Sequence, residues 1–168
     1  MPTLYIANGL GFSTLGRTRV LASIIEAVKK LGFGVIEPFA DNNELSLAND
    51  RSVGAEIEIA VRDMNGVIKA DGVLCVLSSP IPDEGSMIEV GMALALKKPV
   101  FYLNDDFRYQ IDPASTKLPV NLMLFAHATA KTWQRYYYTS IEDLSSQEKG
   151  LCKWIQHSQK TVAEAIAE

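Results

Sequence analysis

The sequence predicts an α/β fold: an open five-stranded parallel sheet with helices on both faces, forming a three-layer sandwich. Strand-like and helix-like patterns alternate along the chain, which implies right-handed crossovers between parallel strands. The run Gly72-Val73-Leu74-Cys75-Val76-Leu77 is apolar without alternation, as a central strand covered on both faces requires. The length of 168 residues fits one domain with a full core, read as residues 1–168.

The first strand is Leu4-Tyr5-Ile6-Ala7, and the loop after it carries Gly9 and Gly11, which allow a tight turn and close approach of a ligand. In residues 14–31, Val20, Leu21, Ile24, Ile25, Val28 and Leu31 recur at helical spacing, with Gly32 placed as a C-cap. Residues 33–39 read as a second strand stopped by Pro38, and residues 40–50 as a long polar loop. A second helix is predicted over 52–69 through Ile57, Val61, Met64 and Ile68, with Glu56 and Glu58 near its positive end. The apolar strand at 72–77 leads to a third helix over 83–96, closed by Lys97-Lys98-Pro99 before a fourth strand, Val100-Phe101-Tyr102-Leu103. Residues 104–119 form a second polar loop and 121–125 an apolar segment. Thr132-Trp133 marks the last edge strand, and Ser140 the N-cap of a long C-terminal helix running to Ala167. The sum is a flavodoxin-like or Rossmann-like arrangement. Ligands of such sheets bind beyond the carboxyl ends of the strands, which singles out residues 8–13, the 40s loop, 78–89 and 104–108.

Composition narrows the partners. The formal charge is -4, and no dense basic run offers the phosphate-neutralising stripe that a nucleic-acid partner needs. The N-terminal residues have no signal-peptide pattern and no apolar run is long enough to span a bilayer, so a cytoplasmic protein with no membrane partner is expected. Cys75 and Cys152 lack metal-ligand spacing and read as reduced thiols; no metal site is expected. His127 and His157 have no recognisable nucleophile or metal partner, and Trp133, Trp154 and Tyr136-Tyr137-Tyr138 read as core or interface. Arg108 reads as ordering its loop or pairing across subunits.

The third helix carries the sharpest anomaly. It is apolar around most of its circumference, and so predicted to be largely buried, yet it holds Glu89 in its second turn. A buried carboxylate needs donors, a cavity or a ligand; the helix dipole favours its ionised form and desolvation opposes it. That combination suits a nucleophilic carboxylate, and equally a carboxylate tied to backbone amides or to a Lys or Arg. Asp83, at the helix start, is a good N-cap. Asp63 reads as part of a solvated helix face, one residue before a Met64 expected to be buried. Gly9 and Gly11 do not fit a dinucleotide fingerprint, because Thr14 stands where its third glycine belongs, and no triphosphate loop is present.

The run Asp83-Glu84-Gly85-Ser86-Met87-Ile88-Glu89-Val90-Gly91-Met92-Ala93 resembles the signature of the nucleoside 2-deoxyribosyltransferase family: an Asp, a Gly and a small residue, then E-[IVL]-G-x-A on a helix. Tyr5 resembles the family's tyrosine beside the nucleophile, Asp63 before Asn65-Gly66-Val67 its second active-site aspartate, and Asn121-Leu122-Met123 its N-L-M segment. Asp106-Phe107-Arg108 is similar to a stretch in part of the family. The chain departs from the pattern in two places. Asn8-Gly9-Leu10-Gly11 stands where many members have G-P, and Asn43 where some have a base-contacting glutamine; both positions bear on base selectivity.

The resemblance implies a two-step exchange of the nucleobase of 2'-deoxyribonucleosides with free nucleobases and no cofactor. Glu89 would form a covalent deoxyribosyl ester that a second base opens from the vacated face, with retention. Asp63 and Asp83 would contact the base and handle its proton, and Tyr5 would hold Glu89. Gly9, Phe12 and Asn43 become substrate-binding candidates. Asn121 and Met123 would reach the sugar from a neighbouring subunit of a homo-oligomer, built on dimers and extending to a hexamer. Two other readings are a deoxynucleoside 5'-monophosphate N-glycosidase, in which water replaces the acceptor base, and a non-catalytic nucleotide-binding domain. The first would place phosphate-binding serines where this chain has Asp83 and Asn121, and an aspartate repels a phosphate dianion.

Overall fold

The computed structural model describes residues 1–41, 52–77, 82–109 and 117–167. Five parallel strands, β1 (Thr3–Ala7), β2 (Gly34–Ile36), β3 (Gly72–Val76), β4 (Val100–Leu103) and β5 (Tyr137–Tyr138), lie in the order β2-β1-β3-β4-β5. The helices are α1 (Ala22–Lys30), α2 (Pro38–Asp41), α3 (Val53–Lys69), α4 (Glu84–Ala95) and α5 (Gly150–Ala167).

The period of two along a strand sorts the side chains into two cores. Leu4, Ile6, Leu74 and Phe101 face α1 and α5, meeting Ile24, Val28 and Leu151. Tyr5, Ala7, Val73, Cys75 and Tyr102 face α3 and α4, meeting Val67, Val90 and Ala93. The chain leaves β1 toward β2 on one side and returns to β3 on the other, so the switch in strand order falls between β1 and β3. A crevice belongs at the carboxyl ends of those two strands.

Local chemistry accounts for most boundaries. Ser52 Oγ accepts from Ala55 N at 3.3 Å and caps α3; Lys98 Nζ closes its other end by donating to the carbonyls of Val67, Ile68 and Ala70. Asp83 caps α4. The predicted first helix is helical from residue 14 onward, but its start at Gly16–Leu21 is π-helical, and Gly32 at φ +99° takes the expected C-cap position.

Five expectations are corrected. The second strand is only Gly34–Ile36, because Pro38 suits the first position of a helix and Glu37 caps that turn: its Oε2 accepts from Ala40 N at 2.8 Å. The edge strand is Tyr137–Tyr138 rather than Thr132-Trp133; Trp133 sits in a 3-10 turn and packs on Phe125. Ser140 does cap, accepting from Asp143 N at 3.2 Å, but the cap serves a 3-10 turn at Glu142–Ser145, and the long helix starts at Gly150. Only a glycine fits there, since a Cβ would come within 2.7 Å of the Phe101 ring.

The other two corrections concern apolar faces. Val53, Ile57, Val61, Met64 and Ile68 form a stripe along α3 that points away from the sheet, each 47% to 71% exposed; the helix meets the sheet through Gly66 and Val67. Helix α4 buries only Ser86, Val90 and Ala93, leaving Ile88 and Leu96 exposed. Among the described residues, no helix is long and apolar enough to cross a membrane.

Candidate active site

The crevice between β1 and β3 holds a tyrosine and a carboxylate joined by a short hydrogen bond: Tyr5 Oη donates to Glu89 Oε1 at 2.5 Å. Tyr5 comes from the middle of β1 and is fully buried. Its ring can lie there because α3 presents Gly66, where a Cβ would come within 2.8 Å of the ring. Burial, together with the charges of Glu89, Asp63 and Glu37, pushes the phenol far above its ordinary range, so Tyr5 is a permanent donor.

Glu89 stands in the second turn of α4. Burial pushes its carboxyl up to about 7, the Tyr5 hydrogen bond pulls the other way, and the charges of Asp63, Asp83 and Glu37 add to the rise. Asp63 and Asp83 lie near enough to Glu89 for their charges to oppose its ionisation. Among the described residues only Tyr5 bonds to Glu89, and it does so through Oε1.

Asp83 performs the structural job its position suggests. Its Oδ2 accepts from Ser86 N at 2.8 Å and Ser86 Oγ at 3.0 Å, which fixes the start of α4. Gly9 backs this cap, since a Cβ there would meet Asp83 Cβ at 3.3 Å. Phe12 is 77% exposed and meets Phe39 edge-on, with ring centroids 5.0 Å apart. Asn43 lies outside the described residues.

A cleft of about 450 Å³ opens on the α3 side, walled by Tyr5, Ile36, Pro38, Asp63 and Gly66. A second, more apolar cleft of about 600 Å³ lies on the other flank of α4, walled by Met87, Gly91, Leu94, Asn104, Asn121 and Met123. At 100° per residue, Met87 and Gly91 face nearly opposite to Glu89 around the helix. Tyr5, Asp63, Asp83 and Glu89 are thus brought together, while Asn121 and Met123 stand across α4 from them. Asn121 Oδ1 accepts from Met123 N at 2.9 Å and caps the 3-10 turn Leu122–Phe125.

One residue of the crevice, Glu37, escapes the sequence reading, and the structural role of its partner Asn8 does too. Asn8 and Glu37 are both buried, and Asn8 Nδ2 donates to Glu37 Oε1 at 3.3 Å while its Oδ1 accepts from Gly11 N at 3.3 Å. They lock the loop after β1 to the turn after β2. The one available signal was their place directly after strands. Arg108 pairs with its own Asp106, whose carboxyl it holds down to about 2. Burial holds the His127 imidazole below its ordinary value, packed against Tyr136 and Tyr102. Among the described residues, no three His, Cys, Asp or Glu side chains are grouped to hold a metal.

A family model described as nucleoside 2-deoxyribosyltransferase matches residues 4–123. Several solved structures are similar to this chain, these three among them. One reported for the 2-deoxyribosyltransferase of the psychrotolerant bacterium Bacillus psychrosaccharolyticus has a TM-score of 0.64 at 19% identity, covering 86% of this chain and 90% of that one. A conserved protein from Enterococcus faecalis gives 0.63 at 26% identity, covering 86% and 94%. The 2-desoxiribosyltransferase from Leishmania mexicana gives 0.61 at 21% identity, covering 94% and 99%. Comparison with curated proteins finds no match.

Proposed function

Since the chain belongs to the nucleoside 2-deoxyribosyltransferase family, we propose that it exchanges the base of 2'-deoxyribonucleosides through a covalent deoxyribosyl ester on Glu89. The observation that carries this reading is the Tyr5 to Glu89 hydrogen bond within a group of carboxylates. Tyr5 fixes Oε1 and leaves Oε2 as the attacking oxygen. Attack on the anomeric carbon breaks the bond to the base, whose ring nitrogen takes a proton from Asp63 or Asp83. The incoming base returns that proton as its nitrogen attacks the same carbon and expels Glu89. Two inversions give retention, and atoms balance with no cofactor.

The charges of Asp63, Asp83 and Glu37 around Glu89 favour a neutral nucleoside over a phosphate dianion. Free nucleobase serves as the second substrate. In this reading Asn121 and Met123 complete the site of a second copy. Their place across α4 from Glu89 supports it, as do the exposed stripe of α3 and Ile88 on the outer face of α4. With a two-fold axis lying parallel to α4 over that outer face, each chain's Glu89 flank would meet its partner's Asn121 flank.

The test is incubation with a 2'-deoxynucleoside, with and without a second base, followed by chromatography. A new deoxynucleoside appearing only with the second base is the expected result. Free base in equal amount under both conditions means hydrolysis, and no turnover leaves a binding domain.

A further inference from the structure

Tyr102 in β4 and Tyr137 in β5 are register partners on the face of the sheet that carries the active site, and both are fully buried. Burying a phenol is costly unless its hydroxyl finds an acceptor, so the use each hydroxyl is put to is informative. Both reach main-chain carbonyls of the loops around the second cleft: Tyr102 Oη donates to Leu124 O, and Tyr137 Oη to Tyr109 O at 3.3 Å.

Leu124 lies in the short turn that presents Asn121 and Met123. The backbone bonds of that turn are local, Leu124 N to Asn121 O at 3.2 Å and Ala126 N to Met123 O at 3.2 Å, and do not tie it to the sheet. Phe125 anchors one point by packing edge-on against Tyr102, with centroids 5.3 Å apart. The Tyr102 hydroxyl supplies a second point, and two fixed points set the tilt of a turn. We propose that Tyr102 is a positioning residue, which by holding the Leu124 carbonyl fixes where Asn121 and Met123 stand and so sets the affinity for the sugar. This rests on the reading that Asn121 and Met123 complete a deoxynucleoside site. Burial also raises the Tyr102 phenol well above its ordinary range, so the donor persists at any working pH.

The test is steady-state exchange by Tyr102→Phe, Asn121→Ala and the double variant, with Tyr138→Phe as control. Tyr138 is equally buried, and its hydroxyl accepts from Leu151 N at 2.9 Å on the far layer, so its loss reports stability alone. Tyr102→Phe should raise KM for the deoxynucleoside about fivefold to tenfold, the worth of one buried hydrogen bond, with kcat within about twofold. The double variant should be no worse than Asn121→Ala, and Tyr138→Phe should leave KM unchanged. An unchanged KM in Tyr102→Phe overturns the proposal, as does a rise shared by Tyr138→Phe or one that multiplies with Asn121→Ala. If Asn121→Ala itself leaves KM unchanged, the sugar-site reading falls. Hydrogen exchange then decides the positioning role: faster exchange confined to residues 122–126 in Tyr102→Phe supports it, and unchanged exchange there overturns it.

Discussion

Glu89 is subject to opposing influences that can be separated by substitution. Burial and three neighbouring acids raise its carboxyl to about 7, and Tyr5 restrains the rise. A nucleophile must be ionised, so exchange should increase with pH through the neutral range. Tyr5→Phe removes a stabilising donor and should move that acid limb to higher pH, whereas Glu37→Gln removes a repelling charge that has no part in the proton transfer and should move it lower. Limbs moving in the same direction in both variants would contradict this electrostatic account. Glu89→Ala should cut exchange by about a thousandfold or more, read by product chromatography. The same shift affects folding. The folded pKa lies above that of an exposed carboxyl, so the contribution to stability is full at low pH and is lost as pH rises through about 7. Denaturant melts at about pH 5 and about pH 8 should therefore differ less for Glu89→Gln than for the native chain. The charge on an apolar helix made Glu89 legible in the sequence. Its bond to Tyr5 was not, because the two are 84 residues apart and only the resemblance linked them.

The elements were legible where local chemistry decides them. Asp83 caps its helix as residue type predicts, and the non-alternating run at 72–77 contains the central strand β3. Failures came where one signal has two uses. The apolar repeat of α3 is real, but periodicity does not say whether a stripe faces the sheet or leaves it; here Gly66 and Val67 take the sheet side because a small residue must meet Tyr5. Trp133 carries a strand signal and a core signal at once, because aromatic residues favour both. Gly66 itself is open to test. Gly66→Ala puts a Cβ about 2.8 Å from a ring held in the central sheet and should cost about 1 to 3 kcal/mol in a urea titration. Exchange should fall with it, since the Tyr5 hydroxyl must shift. An unchanged midpoint and rate would show that the contact is slack.

At the scale of the whole molecule, the exposed apolar residues of α3 and α4 lie on the layer that carries the site. A monomer with such a stripe leaves more apolar surface in water than a soluble chain usually tolerates in one place. Replacing Val61 or Ile57 by Asp should leave the fold intact by circular dichroism while lowering the mass seen by light scattering, and should lower exchange with it. Mixing inactive Glu89→Ala chains with Asn121→Ala chains, whose KM is raised, and allowing time to re-pair should give roughly a quarter of sites the native KM, the share that random pairing leaves with both residues. No recovery would confine each site to one chain. The position of α4, with Glu89 on one flank and the Asn121 cleft on the other, has a kinetic corollary. Under the proposed pairing the site is complete only while copies are joined, so turnover per chain should decline on dilution toward the pairing constant. A cell could then regulate this chemistry simply by how much of the chain it makes.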